Sequence, residues 1–414
     1  MLDINLIRKK PDFVKNSCAK RNINIDVDKI LLLDEEKRKY QKKIEDLRFE
    51  QNKLSKESPL PLKKLKAIKN ETKTIEALLK EKEEELEKLL FSIPNLPLED
   101  VPIGRDERDN VVLREVGVKP KFDFQPKDHL EIGEKLDLID VKRAAKVSGT
   151  RFGYLKNEAV LIEFALVKLA LEITMKEGFT PVVPPVMIKP QMMKGMGYID
   201  TKEDLAERYF LEKDNLFLVG TSEQSIGPMH ADEIFEEKEL PRRYVGFSTC
   251  FREEAGSYGK DSRGILRVHQ FDKVEMFIFC RPEDSRKEHQ LLLSLEEKLM
   301  QLLKIPYRVV QLCTGDIGRS SAATFDVESW MPGQEKYRET HSCSNCTDFQ
   351  SRRLNIKYKT RTSKLQYVHT LNGTAFAIGR TLIAILENYQ QKDGSVKIPE
   401  VLQEYIGKKV ITKN

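Results

Sequence analysis

The stretch FREEAGSYGKDSRGILRVHQF (residues 251–271) opens with an arginine and two glutamates and ends in alternating apolar and polar residues before a phenylalanine. Side chains two apart on a strand share a face, so Arg252 and Glu254 are predicted on one face of a first strand, with Glu253 opposite. A second strand is predicted to have a polar face and an apolar core face. The polar face carries His269, Phe271, Lys273 and Glu275, and the core face carries Val274, Met276 and Ile278. The predicted mobile loop between the strands carries Lys260, Arg263 and Arg267.

The polar residues of these two strands are of the types that bind a nucleotide together with a small ammonium-bearing substrate. A guanidinium binds phosphate oxygens through two hydrogen bonds, an aromatic ring stacks on a base, and a carboxylate holds an amino group. A salt-bridged strand surface explains the same spacing equally well. The sequence contains no GxxxxGK[ST] motif, so a nucleotide site here is not a P-loop.

Composition limits the class of protein. The 414 residues exceed one ordinary domain, and a charged content of 33% favours a long solvated helical segment beside a globular core. The net charge of +5 is small for this length, so contact with nucleic acid has to come from local patches. An N-terminus without an apolar signal sequence, and the lack of a run long enough to cross a bilayer, predict a soluble cytoplasmic protein with no membrane partner. The six scattered cysteines are typical of reduced thiols.

Heptad patterns predict two long helices within residues 30–54 and 65–93, separated by the breaker SPLP. Helices joined by so short a turn run antiparallel, and each spans roughly 40 Å. Before them, a short helical segment is predicted to direct Phe13 and Val14 toward a core. Lysines crowd the turn of the hairpin, which suits a nucleic-acid backbone, although a dimerisation coiled coil and a merely solvated helix face are alternatives. These lysines are Lys53, Lys56, Lys63, Lys64, Lys66 and Lys69.

The rest of the chain indicates a different architecture. Residues 94–155 are interpreted as an irregular connection, and from Ala159 onwards apolar helices and strands alternate without the regular rhythm of a parallel α/β sheet. We therefore predict an α+β fold in two domains. Residues 1–95 form an N-terminal antiparallel helical hairpin, a coiled coil, and residues 96–414 form a second domain on a mainly antiparallel β-sheet flanked by helices.

Five segments resemble sequences typical of class II aminoacyl-tRNA synthetases in their seryl form, the seryl-tRNA synthetase family. GFTPVVPPV (178–186) resembles the first class II signature, with Pro185 as its proline, and CFREEAGSYGKDSRGILRVHQFDKVE (250–275) resembles the second. LNGTAFAIGRTLIAILENYQ (371–390) resembles the third. TSEQ (221–224) resembles the serine-binding loop, and PGQEKYRETHSCSNCTDFQSRRLNIKY (332–358) resembles another family segment. The resemblance covers essentially the whole chain and implies that the hairpin is a tRNA-binding arm and the second domain catalytic.

The resemblance also implies roles for individual residues. Contacts to serine are implied for Thr221, Glu223, Arg252, Glu275, Asn372 and Thr374. Contacts to ATP are implied for Arg252, Glu253, Glu254, Phe271, Glu339, Thr340, His341, Ser342 and Arg380. Arg252 and Arg380 are the implied catalytic residues, and Glu339 and Ser342 are the implied Mg²⁺ ligands. The six lysines at the turn of the hairpin are the implied tRNA-binding residues.

The activity that the resemblance implies is that of a serine–tRNA ligase. L-serine is activated with ATP and Mg²⁺ to seryl-adenylate, and the seryl group is then transferred to the 3′ end of tRNA(Ser) by a homodimeric enzyme. The selenocysteine tRNA stays open as a second substrate. Two other functions are weighed against this one. A ligase that loads an amino acid onto a carrier protein lacks a full-length tRNA arm, and an inactive RNA-binding paralogue does not require the intact set Arg252, Glu254, Glu275 and Arg380.

Two residues depart from the family pattern. Thr374 stands where the commonest bacterial form has serine, and His341 fills a position usually held by a small residue. These departures leave the implied reaction class unchanged, but the resemblance does not extend to the finer shape of the pocket. Cys343 and Cys346 have the spacing of half a zinc site, but no second pair accompanies them in the sequence, so a structural zinc is disfavoured.

Overall fold

The computed structural model describes residues 1–255 and 263–413, so the predicted loop position of Lys260 lies outside the described residues. The chain divides into two compact units, Met1–Leu96 and Pro97–Asn414. No helix in the described part of the chain is both long enough and apolar enough to cross a membrane.

The N-terminal unit is helical, and its two long helices form the predicted hairpin. Its helices are α1 (Ile4–Lys9), α2 (Pro11–Lys20), α3 (Val27–Leu54) and α4 (Leu62–Ser92). Asp26 caps α3 by accepting a hydrogen bond from the backbone N–H of Lys29, which satisfies a free amide of the first turn. The ion pairs Lys29–Glu85 and Lys43–Glu71 run in opposite order along α3 and α4. The two helices are therefore antiparallel.

The seam between α3 and α4 is apolar and follows the predicted heptads. Its buried side chains include Ile30, Leu33, Ile44, Leu47, Leu54, Ile68, Ile75 and Leu86. In α2, Val14 is buried as predicted, but Phe13 is 49% exposed. The prediction for Phe13 is wrong because successive side chains on a helix point about 100° apart, so only one of the two can face the core. The six lysines at the turn of the hairpin are all exposed.

The larger unit is α+β, as predicted. Its helices are α5 (His129–Lys135), α6 (Val141–Ser148), α7 (Glu158–Met175), α8 (Pro190–Met196), α9 (Lys202–Ala206), α10 (Glu223–Ile226), α11 (Ser285–Leu302), α12 (Phe349–Leu354), α13 (Ile378–Asn388) and α14 (Glu400–Ile406). Its strands are β1 (Val111–Val116), β2 (Ile139–Asp140), β3 (Tyr154–Leu155), β4 (Thr180–Val182), β5 (Met187–Ile188), β6 (Phe210–Leu211), β7 (Leu216–Leu218), β8 (Ile234–Glu236), β9 (Arg242–Phe251), β10 (Gln270–Cys280), β11 (Tyr307–Gln311), β12 (Ala323–Met331), β13 (Lys336–Asn345), β14 (Lys357–Lys359), β15 (Leu365–Tyr367), β16 (His369–Ala377), β17 (Val396–Lys397) and β18 (Val410–Ile411).

Eight of the described strands form the central sheet, in the order β1-β11-β12-β13-β16-β10-β9-β4. Neighbouring strands are antiparallel except for β4 and β9, which run parallel, so the prediction of a mainly antiparallel sheet is confirmed. The prediction of an irregular connection over residues 94–155 is wrong at β1, an edge strand of this sheet. Its side chains are almost all exposed, so the sequence lacks the alternation that marks a half-buried strand.

The two faces of the central sheet differ in chemistry. One face packs against apolar side chains of α7, α11 and α13, and it includes Val274, Met276, Val309, Val327 and Leu371. The opposite face is polar and carries Lys273, Glu275, Asp326, Ser342, Asn372 and Thr374. Since side chains alternate across a strand, a helix-covered core on one face leaves the other face available as the floor of a cavity.

Candidate active site

A cavity of about 1010 Å³ lies over the polar face of the central sheet. Small-molecule sites typically measure about 300–1,000 Å³, so this one has room for a nucleotide and a second small substrate. Most of the residues predicted to bind serine or ATP line it. They are Thr221, Glu223, Arg252, Glu254, Phe271, Glu275, Glu339, Thr340, Ser342, Asn372, Thr374 and Arg380.

Arg252 and Glu254 line the cavity from beyond the end of β9, and the prediction that they lie on a strand face is wrong. β9 ends at Phe251, and Glu254 has a left-handed backbone conformation with φ 51°. The carbonyl of Glu254 accepts a hydrogen bond from Arg151 Nη1 at 3.0 Å, and its Oε2 accepts one from Arg267 Nη1 at 2.8 Å. A positive φ interrupts the alternation of faces, so these contacts, and not strand geometry, fix the position of Glu254.

Arg252 is held between a carbonyl and an aromatic ring. Its Nε donates a hydrogen bond to the Gly220 carbonyl at 3.1 Å, and its guanidinium carbon lies 5.2 Å from the centre of the Phe271 ring. Cations are attracted to the face of an aromatic ring, so the two side chains support each other. The guanidinium is therefore positioned before any ligand arrives.

Thr221 and Glu223 meet the side chains of β10 at one end of the cavity. Glu223 is the first residue of the short helix α10, so the prediction that the two residues are spaced along a strand is wrong, although both line the cavity. Lys273 Nζ donates to Thr221 Oγ1 at 3.4 Å and forms an ion pair with Glu275. The Tyr198 hydroxyl donates to Glu223 Oε1. The result is a cluster of two carboxylates, one ammonium and two hydroxyls.

Both carboxyl groups of this cluster hold a proton more tightly than usual. Glu223 and Glu275 are only 2% and 1% exposed. Burial, and then repulsion by Glu275, raise the pKa of Glu223 to about 8. Burial also raises the pKa of Glu275, against the attraction of Lys273. Two acids that share one ammonium do not both ionise readily, and a second ammonium group beside them would favour the ionised form of both.

Glu339, Ser342 and Arg380 line another part of the cavity. Arg380 Nη1 donates to the Glu339 carbonyl at 2.9 Å and lies 3.1 Å from its Oε2. Although burial acts the other way, the Arg380 guanidinium lowers the pKa of Glu339. Glu339 and Ser342 are three apart in sequence, which would put them on opposite faces of a regular strand. They share the cavity because the pairing of β12 with β13 slips by one residue at Thr340, a β-bulge.

Asp326 on β12 belongs to this part of the cavity. Its Oδ1 is buried and has no hydrogen-bond partner among the described residues, and burial together with repulsion by Glu339 raises its pKa. A buried carboxyl oxygen without a donor is open to a cation. The oxygens of Asp326, Glu339 and Ser342 fit Mg²⁺, which binds through one or two carboxylates and otherwise through water and substrate phosphates. Across residues 1–255 and 263–413, no group of three or more His, Cys, Asp or Glu side chains is placed to hold a metal ion.

Two residues predicted to bind ATP, Glu253 and His341, are not among the described residues that line the cavity. His341 is 1% exposed, its Nδ1 lies 2.9 Å from Thr340 Oγ1, and its ring centre is 5.7 Å from that of Phe376. Burial lowers the pKa of His341 to about 3, so the ring is neutral. Glu253 contributes its backbone N–H to the Glu207 carbonyl at 3.2 Å. Contacts of these two residues to ATP stay predictions.

Sequence reasoning missed Asp326, Tyr198 and Arg208, which all line the cavity. The segment FDVES contained a signal for Asp326, because its acidic residues alternate with apolar Phe325 and Val327 as on a strand with one buried face. Tyr198 and Arg208 lie in loops, and nothing in their local sequence points to the cavity. Only the tertiary fold brings them to Glu223 and Arg252.

The chain has relatives over its whole length. A family model described as "Seryl-tRNA synthetase N-terminal domain" matches residues 1–97, and one described as "tRNA synthetase class II core domain (G, H, P, S and T)" matches residues 209–389. The serine–tRNA ligase of Dictyoglomus thermophilum is 46% identical over 418 residues, which cover 98% of this chain and 98% of that protein.

Solved structures give the same result. The crystal structure of seryl-tRNA synthetase from Pyrococcus horikoshii complexed with ATP is 43% identical, with a TM-score of 0.93 and coverage of 100% of both chains. The cytoplasmic serine–tRNA ligase from Naegleria fowleri in complex with AMP is 37% identical, with a TM-score of 0.90 and coverage of 100% of this chain and 99% of that one. The likeness is therefore not restricted to the class II core.

Replacing Glu223 by glutamine is expected to remove a pH-dependent loss of stability. The pKa of Glu223 is raised from 4.5 to about 8 in the folded protein, so its stabilising effect is full below about pH 4.5 and is lost as the pH rises through 8. Relative to the wild type, the free energy of unfolding of Glu223→Gln should rise by roughly 1 kcal/mol per pH unit from about pH 5 to 8. Urea unfolding across this range, without ligands, measures the difference.

The matched control is Glu404→Gln, because the side chain of Glu404 is exposed. The difference in free energy of unfolding between Glu404→Gln and the wild type should stay constant over the same pH range. If the free energy of unfolding of Glu223→Gln differs from that of the wild type by an equally constant amount, Glu223 is already ionised in the folded protein, contrary to the prediction.

Proposed function

Because the chain belongs to the seryl-tRNA synthetase family, it activates serine with ATP and charges tRNA, and we propose that seryl-adenylate forms in the cavity over the central sheet. The family uses ATP and Mg²⁺. The observation that carries this assignment is the charge distribution around Thr221. Thr221, the acidic pair Glu223 and Glu275, and the Arg252 guanidinium, which is bonded to the preceding Gly220, line the same cavity, so both charges that a zwitterionic amino acid requires are met there. Residues 1–95 are assigned to tRNA binding and residues 96–414 to catalysis.

The serine ammonium group is assigned to Thr221, Glu223 and Glu275. Lys273 pairs with only one of the two carboxyls, so a second ammonium group favours ionisation of the other, and the near-complete burial of both strengthens their attraction for that cation once they are ionised. The serine carboxylate then faces Arg252, whose Nε is held by the carbonyl of Gly220, the residue immediately before Thr221.

The serine hydroxyl is assigned to Asn372 and Thr374 on β16. Both line the cavity, and Thr374 pairs directly with Glu275 across β10 and β16. Directly opposed residues on antiparallel strands lie about 4.5–5.5 Å apart, so a hydroxyl beside the bound ammonium group is within their reach.

ATP is assigned to the part of the cavity between Phe271 and Arg380. The Phe271 ring provides a stacking surface for adenine, with Glu254 at the base edge. Arg380 is assigned to the γ-phosphate, and Glu339 and Ser342 to the Mg²⁺ that accompanies the phosphates. Thr340 contributes to the wall of this part of the cavity.

The chemistry requires positioning and neutralisation of charge more than a covalent nucleophile. An oxygen of the serine carboxylate attacks the α-phosphorus in line, the new O–P bond forms, and the bond to pyrophosphate breaks. Arg252 and Arg380 stabilise the charge on the α-phosphate and on the leaving pyrophosphate. Mg²⁺ supplies further neutralisation of the phosphate oxygens when bound. The terminal hydroxyl of tRNA(Ser) then attacks the seryl carbonyl, and AMP leaves.

The variant Arg252→Ala should lose at least about 10²–10³-fold in the rate of serine-dependent ATP–pyrophosphate exchange, because a preorganised charge contact in the transition state is removed. Arg361→Ala is the matched control, since that guanidinium is 91% exposed. Near-normal exchange by Arg252→Ala would remove Arg252 from the catalytic set.

The same assay on the wild type, followed by tRNA charging, separates the other functions considered. Adenylation without charging of tRNA indicates a carrier-protein ligase, and no adenylation indicates an inactive paralogue.

The tRNA-binding surface is assigned to the turn between α3 and α4. Six lysines within residues 53–69 are exposed there, while acidic residues such as Glu83 and Glu85 lie near the other end of α4, where they pair with Lys37 and Lys29. Unpaired lysines release counterions from a phosphate backbone, which makes binding favourable and dependent on salt.

The triple variant Lys63→Glu/Lys64→Glu/Lys66→Glu should raise the KM for tRNA(Ser) at least ~10-fold at physiological salt and flatten its salt dependence. ATP–pyrophosphate exchange should be unchanged, because that reaction needs no tRNA. The control Lys73→Glu/Lys80→Glu/Lys88→Glu makes the same charge change on exposed positions further along α4. Equal effects of the two triple variants would contradict a binding surface at the turn.

A homodimer in the cytoplasm is the proposed form of the enzyme. Large apolar side chains are exposed on α7 and just after β4, where Phe164 is 61% and Val183 is 83% exposed. Exposed apolar side chains near each other in sequence and fold favour a protein interface. All six cysteines are free and buried, which suits a reducing compartment.

Val183→Asp should shift the protein toward the monomer by at least ~100-fold in the dimer dissociation constant, because it places a charge in the proposed apolar interface. Sedimentation equilibrium measures the constant. Val118→Asp is the control, since Val118 is 86% exposed but lies elsewhere. An unchanged dissociation constant for Val183→Asp would exclude this surface from the interface.

A further inference from the structure

Arg208 is a second guanidinium at the serine end of the cavity, and the roles assigned so far do not account for it. It follows the short helix α9 and lines the cavity together with Tyr198, Thr221 and Arg252. Its guanidinium carbon lies 5.2 Å from the centre of the Tyr198 ring. This aromatic contact fixes the side chain in place without neutralising its charge.

The hydrogen-bonding capacity of Arg208 is poorly used. Its Nη1 donates to the Glu207 carbonyl at 3.3 Å, and its Nε is buried without a hydrogen-bond partner among the described residues. Burial, and next the charge of Arg252, lower the pKa of Arg208 to about 10, against weaker attraction by surrounding carboxylates. Those carboxylates are Glu207, Asp204 and Glu254. A buried guanidinium nitrogen without an acceptor is unfavourable, so a ligand that supplies an acceptor gains free energy.

Arg208 and Arg252 flank the same glycine. A Cβ atom placed on Gly220 would lie 3.4 Å from Arg208 Nη1 and 3.5 Å from Arg252 Cγ. Gly220 immediately precedes Thr221, which is assigned to the serine ammonium group. The charge of Arg252 lowers the pKa of Arg208, so the two guanidinium groups repel each other, and an anion between them removes the repulsion and adds charge-assisted hydrogen bonds.

We propose that Arg208 binds the carboxylate of serine together with Arg252, and that the pair continues to hold the same oxygens when they become part of the acyl phosphate of seryl-adenylate. The inference rests on the assignment of serine to this end of the cavity. It adds an anion-binding residue to the serine site, so that two guanidinium groups, those of Arg208 and Arg252, bind the carboxylate.

Tyr198 is the positioning residue of this arrangement. Its ring supports Arg208, and its hydroxyl donates to Glu223 Oε1 in the acidic cluster. One side chain thus fixes both a carboxylate-binding and an ammonium-binding group. A zwitterion carries both charges that such a linked pair of groups would bind, whereas a phosphate of tRNA needs no acidic neighbour.

The experiment compares serine with serinamide, which keeps the ammonium and hydroxyl groups but has no carboxylate. In full-length protein, the KM for serine and the inhibition constant of serinamide are measured by ATP–pyrophosphate exchange. Arg208→Met should weaken the binding of serine roughly 10- to 100-fold and lower the preference for serine over serinamide by about tenfold, because only serine has a carboxylate that loses a charge-assisted contact. Arg208→Lys, which keeps the charge but not the planar fork, should fall between Arg208→Met and the wild type.

The controls separate the possible outcomes. Arg361→Met makes the same change at an exposed guanidinium and should leave both constants unchanged. If Arg208→Met weakens the binding of serine and of serinamide equally, Arg208 is a merely structural residue. If only the KM for tRNA rises, Arg208 is a tRNA contact. Either result overturns the proposal. Absence of serine-dependent exchange in the wild type would instead refute the proposed function, so the two failures are distinguishable.

Discussion

The site depends on one constraint, which is that charges of both signs lie on a single face of an antiparallel sheet whose other face is an apolar core. Burying a lone charge is unfavourable, so each buried charge needs a partner. Lys273 with Glu275 and Arg380 with Glu339 form such pairs inside the cavity. Buried polar atoms that have no hydrogen-bond partner in the described part of the chain, such as Asp326 Oδ1 and Arg208 Nε, mark where ligand charges fit. In the proposed assignment, Asp326 serves the phosphates and their cation, and Arg208 serves the serine carboxylate.

Departures from regular structure direct these charges into one space. The slip in pairing at Thr340 brings Glu339 and Ser342 to the same face of β13. The left-handed conformation of Glu254 ends the alternation that β9 would continue. Irregularities of this kind cost conformational energy, and they persist because surrounding hydrogen bonds hold them, as Arg151 and Arg267 hold Glu254. The regular part of the sheet forms the apolar core, and the irregular positions bring the charged side chains into the cavity.

Much of this architecture could be predicted from the sequence because it depends on periodicity. Periodicity can be recognised within short runs of sequence. Examples are the heptads of α3 and α4 and the alternation of Lys273 and Glu275 with Val274 and Met276. Glu223 was placed in the site by resemblance, while its local structure was predicted wrongly as strand. Arg208, Tyr198 and the edge strand β1 could not be found, because their positions depend on contacts between distant segments or on an exposed edge without a pattern. What is local in the chain was predictable, and what is tertiary was not.

The electrostatics of the proposed serine site also bear on how its acidic and basic halves act on one ligand. Without a ligand, Glu223 retains a proton because Glu275 is close and water is excluded, and Arg208 and Arg252 repel each other across Gly220. A zwitterion changes both conditions at once, since its ammonium group favours ionisation of the acids and its carboxylate screens the arginines. A ligand with only one of these charges relieves only one of the two strains. Under the proposed assignment, recognition of the amino-acid backbone requires both charges of the ligand, and Tyr198 links the two halves because it contacts both Glu223 and Arg208.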